Sequence, residues 1–171
     1  IAINLGIDLS IRNSIPYLLV LGDDSALQND YCEKLIERME SDKTIALCSG
    51  DILGNKPILE RAVQGSGRMI RSDYIKTTYP LPMIHGYESY VIFEALRQGY
   101  KSICYQDIFY DHISAYPKGS IFTFGPAMYS LGYPKIMVIG KLFMKLKGEG
   151  VSGGRLNAIS EFTGFIWAHI I

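Results

Sequence analysis

The chain predicts an α/β domain on a largely parallel sheet. Two short apolar runs, an amphipathic helical pattern between them, and a turn cluster closing each run carry that prediction. Tyr17 to Leu21 is a continuous apolar run, the pattern of a strand buried on both faces, and Gly22-Asp23-Asp24-Ser25 ends it. Asp30 and Glu33 have capping-box spacing, and Tyr31, Leu35, Ile36 and Met39 then share one helical stripe. Thr44 to Cys48 is a second buried strand, closed by Ser49-Gly50-Asp51.

The remaining elements follow the same logic. Residues 3–13 read as the end of a helix, with Ile3, Ile7 and Ile11 on one side. Residues 53–67 contain four glycines or prolines and read as loop, and order resumes at Met69-Ile70. A helix runs from Gly86 to Leu96 with Gly99 at its C-cap, and Lys101 to Tyr105 and Phe109 to Ile113 read as strands. Beyond Ser120 the pattern turns helical, over 120–131, 134–147 and 155–171. The expected organisation is a catalytic domain over 1–115 and a helical, basic and apolar tail over 116–171.

Composition narrows the function classes. At 171 residues, 48% hydrophobic and 20% charged, the chain is one globular domain in size and not a disordered one. The formal net charge is zero, yet from Ala115 onward six basic residues face two acidic ones, leaving eleven basic and fifteen acidic before it. No strongly basic channel is evident, so nucleic acid is not an expected partner. The three cysteines (Cys32, Cys48, Cys104) share no metal-ligand or redox spacing and read as reduced thiols of a cytoplasmic protein. Both termini fall inside apolar runs, so the chain reads as a piece of a longer one. Lys135, Lys141, Lys145 and Lys147 flank apolar residues at 136–144, a pattern that suits either an interfacial helix on anionic lipid or a helix packed on its own core.

Four features could carry chemistry. Asp23 and Asp24 end a buried strand, where open α/β sheets place their ligands. Adjacent acids repel unless a cation pairs with them, and hard oxygen donors favour Mg²⁺ or Mn²⁺ bridging to a diphosphate. The bland alternative is a turn or helix N-cap. Glu88 shares a stripe with Val91, Ile92, Ala95 and Leu96, which puts a carboxylate on the inward face of a helix's first turn. An acceptor in a half-dry cleft is what a general base requires, while a first-turn Glu that merely complements the helix dipole is the alternative. His112 ends a strand and gains interest only beside Asp24. Gly65-Ser66-Gly67-Arg68 is a flexible segment with one cation, able to approach a sugar or phosphate, or to be a plain loop.

In order and spacing, these features resemble family 2 (GT-A-type) glycosyltransferases, in particular their rhamnosyltransferase-like and archaeal branches. Asn4-Leu5-Gly6-Ile7 leading to Tyr17–Ser25 is similar to the family's Asn-x-Gly helix and metal strand. Residues 22–24 stand at its Asp-x-Asp place, with Gly22 a departure. Gly86 to Ser89 and Gly99-Tyr100-Lys101 are similar to its base helix, Asp107 to His112 to its histidine strand, and Ala127 to Pro134 to its tail. The likeness covers most of residues 1–145. It implies a Rossmann-like GT-A fold with a mostly parallel sheet, its first strand and nucleotide-base-binding acid lying before Ile1. It also implies inverting transfer of a sugar from a nucleotide-diphosphate donor to a glycan or lipid-linked acceptor. Asn4, Gly6, Asp23 and Asp24 would bind donor, Gly67 and Arg68 acceptor, Asp24 and His112 the Mn²⁺ or Mg²⁺, and Glu88 would be the base. The expected location is the cytoplasm at the inner face of the cell membrane, with residues 134–171 in peripheral contact. Two rivals stand beside it: a Gly-Asp-Asp polymerase or nucleotidyltransferase using Asp23 and Asp24, and a non-catalytic domain in which Gly22 marks a decayed metal site.

Overall fold

The computed structural model describes residues 2–54, 62–82, 86–113, 121–147 and 155–170. His85, Lys118, Glu149 and residues 55–61 of the loop expected over 53–67 fall outside them. Two compact units form, one from Ile1–Leu81 with Val91–Ala115 and one from Pro82–Tyr90 with Tyr116–Ile171.

The first unit runs α1 (Ala2–Arg12), β1 (Tyr17–Val20), β2 (Ser25–Leu27), α2 (Tyr31–Ser41), β3 (Ile45–Ile52), β4 (Arg68–Arg71) and α3 (Ser72–Thr78). Most of α4 (Tyr87–Arg97) and all of β5 (Lys101–His112) complete it. The sheet order is β1-β4-β3-β5-β2, and only β3 and β5 pair in parallel. The expected mostly parallel, Rossmann-like GT-A sheet is therefore incorrect: the sheet is mixed, mostly antiparallel and curled like a half-barrel. The reason lies in β4. The alternation of helix and strand predicted a largely parallel sheet, but Arg68–Arg71 inserts between β1 and β3 and pairs antiparallel with both. β1 and β3 thus run the same way without touching. Burial on both faces sets a strand's composition and leaves its direction open.

β5 holds the second departure from regularity. Its first half pairs with β3 as far as Gly50 opposite Tyr105, and pairing resumes with Asp51 opposite Phe109. Gln106, Asp107 and Ile108 are looped out of that ladder, a large bulge of the kind that bends a strand. Gly50 makes it possible: a Cβ there would sit 2.5 Å from the Ile108 carbonyl oxygen. Sequence placed two strands on either side of this point, and the structure joins them as one bent strand.

α2 packs across one face of the sheet, burying Tyr31, Leu35 and Met39 against Ile45, Cys48, Met69, Ile108 and Tyr110. Its expected capping box does not form, because Asp30 makes no cap hydrogen bond and pairs with Lys34 at 2.7 Å. The Tyr31 hydroxyl is the knot of this layer. It donates to the Gly67 carbonyl at 2.6 Å and accepts from the Gly50 N–H at 2.8 Å, joining α2, β3 and the turn before β4. Arg71 ties the other end of β4, donating from Nε to the Ile45 carbonyl at 3.1 Å and from a terminal nitrogen to the Tyr17 hydroxyl at 3.0 Å. The three cysteines form no disulfide; burial pushes Cys48 up to about 12, which leaves it inert at neutral pH.

The second unit holds a turn of 3₁₀ helix (Ile121–Thr123), α5 (Phe124–Ser130), α6 (Lys135–Leu146) and α7 (Arg155–Ile170) around Met128, Val138 and Phe165. α5 and α7 cross in backbone contact through two glycines. A Cβ on Gly125 would fall 2.2 Å from the Phe165 nitrogen, and one on Gly164 would fall 2.2 Å from the Phe122 carbonyl oxygen. Beside this crossing, the 3% exposed Glu161 of α7 faces two lysines of α6. Lys141 Nζ lies 2.6 Å from one oxygen, and Lys145 hydrogen-bonds the other. Burial pushes the Glu161 carboxyl up, but the two ammonium groups outweigh it and hold it below its ordinary value.

Tyr31→Phe removes a hydroxyl and strands a buried N–H and a buried carbonyl. We expect a loss of about 1–3 kcal/mol in equilibrium urea unfolding. Unchanged stability would mean that the knot at Tyr31 bears no strain on the sheet.

Candidate functional site

The bend in β5 aims its second half at the shortest strand of the sheet. β2 pairs antiparallel with it in the register Ser25↔His112, Ala26↔Asp111 and Leu27↔Tyr110. The Ile113 N–H then donates to the Asp24 carbonyl at 2.8 Å, which carries the ladder one step past the strand. Asp24 and His112 are consequently brought side by side, Oδ2 to Nε2 at 3.3 Å. Their side chains are sheltered, at 31% and 14% exposure, whereas Asp23 beside them is exposed. This is the juxtaposition on which the interest of His112 depended.

Hydroxyls extend the pair. Ser66 Oγ accepts from the Gly22 N–H at 2.7 Å and lies 2.7 Å from Ser25 Oγ, which in turn reaches Asp24 Oδ1 at 3.5 Å. Ser66 was not singled out within its segment by the sequence reading. Its only sequence signal is a serine between two glycines, read there for backbone freedom alone. Gly22 has a positive reason to be glycine: a Cβ would approach Asp24 Oδ1 to 2.9 Å and Ser66 Oγ to 3.2 Å. A side chain at 22 would displace the carboxylate, so the glycine does not by itself mark decay.

The other expected site residues serve the scaffold. Asn4 clamps the backbone of Leu81 from both sides, donating through Nδ2 to its carbonyl and accepting its N–H through Oδ1, each at 3.0 Å. Gly6 is exposed with open space around it. Gly67 is buried at φ +67°, and a Cβ there would meet the Tyr31 hydroxyl at 2.6 Å. Arg68 is 4% exposed, its Nε donating to the Gln64 carbonyl at 2.9 Å. These contacts account for Asn4, Gly67 and Arg68 without a ligand.

Glu88 lies in the second unit, in the first turn of α4. The expected inward stripe is narrower than its spacing implied: Val91 and Ala95 are buried, but Leu96 is 53% exposed and Glu88 is exposed too. Glu88 instead lines a cavity of about 390 Å³. Ser89, Thr123 and Tyr133 offer hydroxyls there, and Phe124 and Leu131 an apolar wall. A carboxylate, hydroxyls and an aromatic ring around one cavity suit a polyol with one apolar face.

Among the described residues no group of three or more His, Cys, Asp or Glu is placed to hold a metal. A carboxylate and an imidazole can still hold Mn²⁺ or Mg²⁺ when phosphate and water supply the remaining ligands, which is how such cations usually sit on phosphate substrates. The nitrogen donor favours Mn²⁺ of the two. Asp24 and His112 fit that role. The chain matches no protein-family model and no curated protein, so the residues themselves carry the functional reading.

Gly22→Ala should move the Asp24 carboxylate off His112. We expect the assigned His112 imidazole resonances to shift in NMR while those of His169 stay in place. Unshifted His112 signals would show that the carboxylate does not depend on the space at Gly22.

Proposed function

We propose that the chain takes part in inverting, metal-dependent transfer of a sugar from a nucleotide-diphosphate donor to an acceptor hydroxyl. The observation that carries this reading is Asp24 beside His112 at the sheet's end, with the Ser25 and Ser66 hydroxyls next to them. The motif order similar to that of family 2 glycosyltransferases supports it, while the mostly parallel sheet which that likeness implied is not the one found.

In this reading Asp24 and His112 hold the cation, and Ser25 and Ser66 donate to phosphate oxygens. The cation, when bound, supplies Lewis-acid stabilisation of the charge on the departing diphosphate. Asp23, exposed, is available to the donor's ribose or sugar hydroxyls. The acceptor oxygen attacks the anomeric carbon from the face opposite the diphosphate and loses its proton to a carboxylate, the role that the motif likeness assigns to Glu88. The new C–O bond forms as the anomeric C–O bond to phosphate breaks, and the nucleoside diphosphate leaves. The acceptor is a glycan or lipid-linked sugar, and the protein works in the cytoplasm at the inner face of the membrane.

The polymerase alternative requires the acids at the tip of a hairpin. A strand does follow them here, but β1 and β2 lie at opposite edges of the sheet and do not pair. That arrangement speaks against a palm-type Gly-Asp-Asp site.

Isothermal titration with UDP-, GDP- and dTDP-sugars, with and without Mn²⁺, tests the proposal. One donor should bind only with metal, and Asp24→Ala should abolish that binding. Glu88→Gln should keep it while transfer falls by roughly 10²–10⁴-fold. Failure of every donor to bind with metal present would sink the reading in favour of a non-catalytic domain, and wild-type turnover by Glu88→Gln would remove Glu88 as the base.

A further inference from the structure

Two of the tail helices are built inside out. α6 turns Ile136, Met137, Ile139, Phe143 and Met144 to solvent, with Ile136 75% and Phe143 60% exposed, and buries Val138. Its Lys141 and Lys145 are committed to the buried carboxylate of Glu161. α7 repeats the pattern. Leu156, Ile159, Ile166, Trp167 and Ile170 are exposed, while its inward side carries Ala158, Glu161, Gly164 and Phe165. A helix resting on a core beneath water has the opposite polarity, so both outer stripes are made to meet something apolar.

The charge around the stripes selects the partner. α5, α6 and α7 contain a single acid, Glu161, and it is buried. The exposed charges at the helix ends are cationic: Lys135, Lys147 and Arg155. A second copy of the chain would set this acid-free surface against itself, cation against cation. An anionic bilayer pairs with it, taking apolar side chains at the acyl boundary and cations at the phosphates. Trp167 and Tyr129 are half-exposed aromatics with polar atoms, the residue types that settle at headgroup level. Among the described residues no helix is long and apolar enough to cross a membrane, so the contact is interfacial.

We propose that the outer stripes of α6 and α7 dock on an anionic lipid surface, with Lys135, Lys147 and Arg155 at the headgroups. Lys145, its side chain 12% exposed, is held on Glu161 and takes no part in lipid contact. The inference stands whether or not the chain transfers sugar.

Vesicle co-sedimentation of the full chain tests it, using phosphatidylcholine alone and an equal mixture with phosphatidylglycerol. Trp167 is the only tryptophan, so its emission reports α7 directly. The chain should bind the mixed vesicles, with a blue shift of Trp167, and bind phosphatidylcholine alone far more weakly. Ile136→Ser with Phe143→Ser should cut partitioning by about tenfold or more and leave the melting curve unchanged, since both side chains are exposed. Three results would overturn the proposal: no binding to the mixed vesicles, equal binding to both kinds, or a dimer in sedimentation velocity that the double variant dissolves.

Discussion

Everything that gathers at the sheet's end depends on one close approach, that of the Ile108 carbonyl to the bare backbone of Gly50. It loops three residues of β5 out of register and turns the rest of the strand toward β2. The Tyr31 hydroxyl pins the same glycine from the helix side and reaches on to Gly67. Tyr31 then meets Tyr110 edge to face, ring centres 5.9 Å apart, just beyond the bend. A phenol, two glycines and a bulge therefore decide where His112 points. Past the bulge β5 resumes its pairing with β3 at Phe109 and takes β2 along its other edge, which sets His112 beside Asp24.

Much of this was legible in the sequence, and the illegible part has physical causes. Helix positions, the strands at Tyr17 and Ile45, and the C-cap at Gly99 follow from periodicity and backbone preference, which act locally. The two halves of β5 were also legible, because its paired stretches are apolar and the bulge between them carries Gln106 and Asp107. Sheet order was not. A four-residue strand such as Arg68–Arg71 has no period to speak of, and its insertion between β1 and β3 is a tertiary event. The same limit hid the Asp24–His112 pair: 88 residues apart in sequence, the two meet through the β2–β5 register. Conversely, Asn4, Gly67 and Arg68 were chosen for residue type, while their hydrogen bonds and packing go to the scaffold.

The tail shows what composition leaves open about orientation. Four lysines among apolar residues suited either a helix on anionic lipid or a helix packed on its own core. In the structure Lys145 is drawn inward and the exposed Lys141 reaches in with its ammonium, because Glu161 is buried beside the glycine-mediated crossing of α5 and α7 and must be paired there. Turning those lysines inward forces the apolar side of α6 outward. Burial of one carboxylate thus sets the polarity of a whole helix.

The most direct test of the account is whether Asp24 and His112 hold a metal together. Mn²⁺ is paramagnetic and broadens nearby protons, so NMR of the three histidine imidazoles during a Mn²⁺ titration reads the site itself. The account predicts that His112 broadens at low Mn²⁺ concentration and that Asp24→Asn removes the effect. No broadening of His112, or broadening that survives Asp24→Asn, would contradict it.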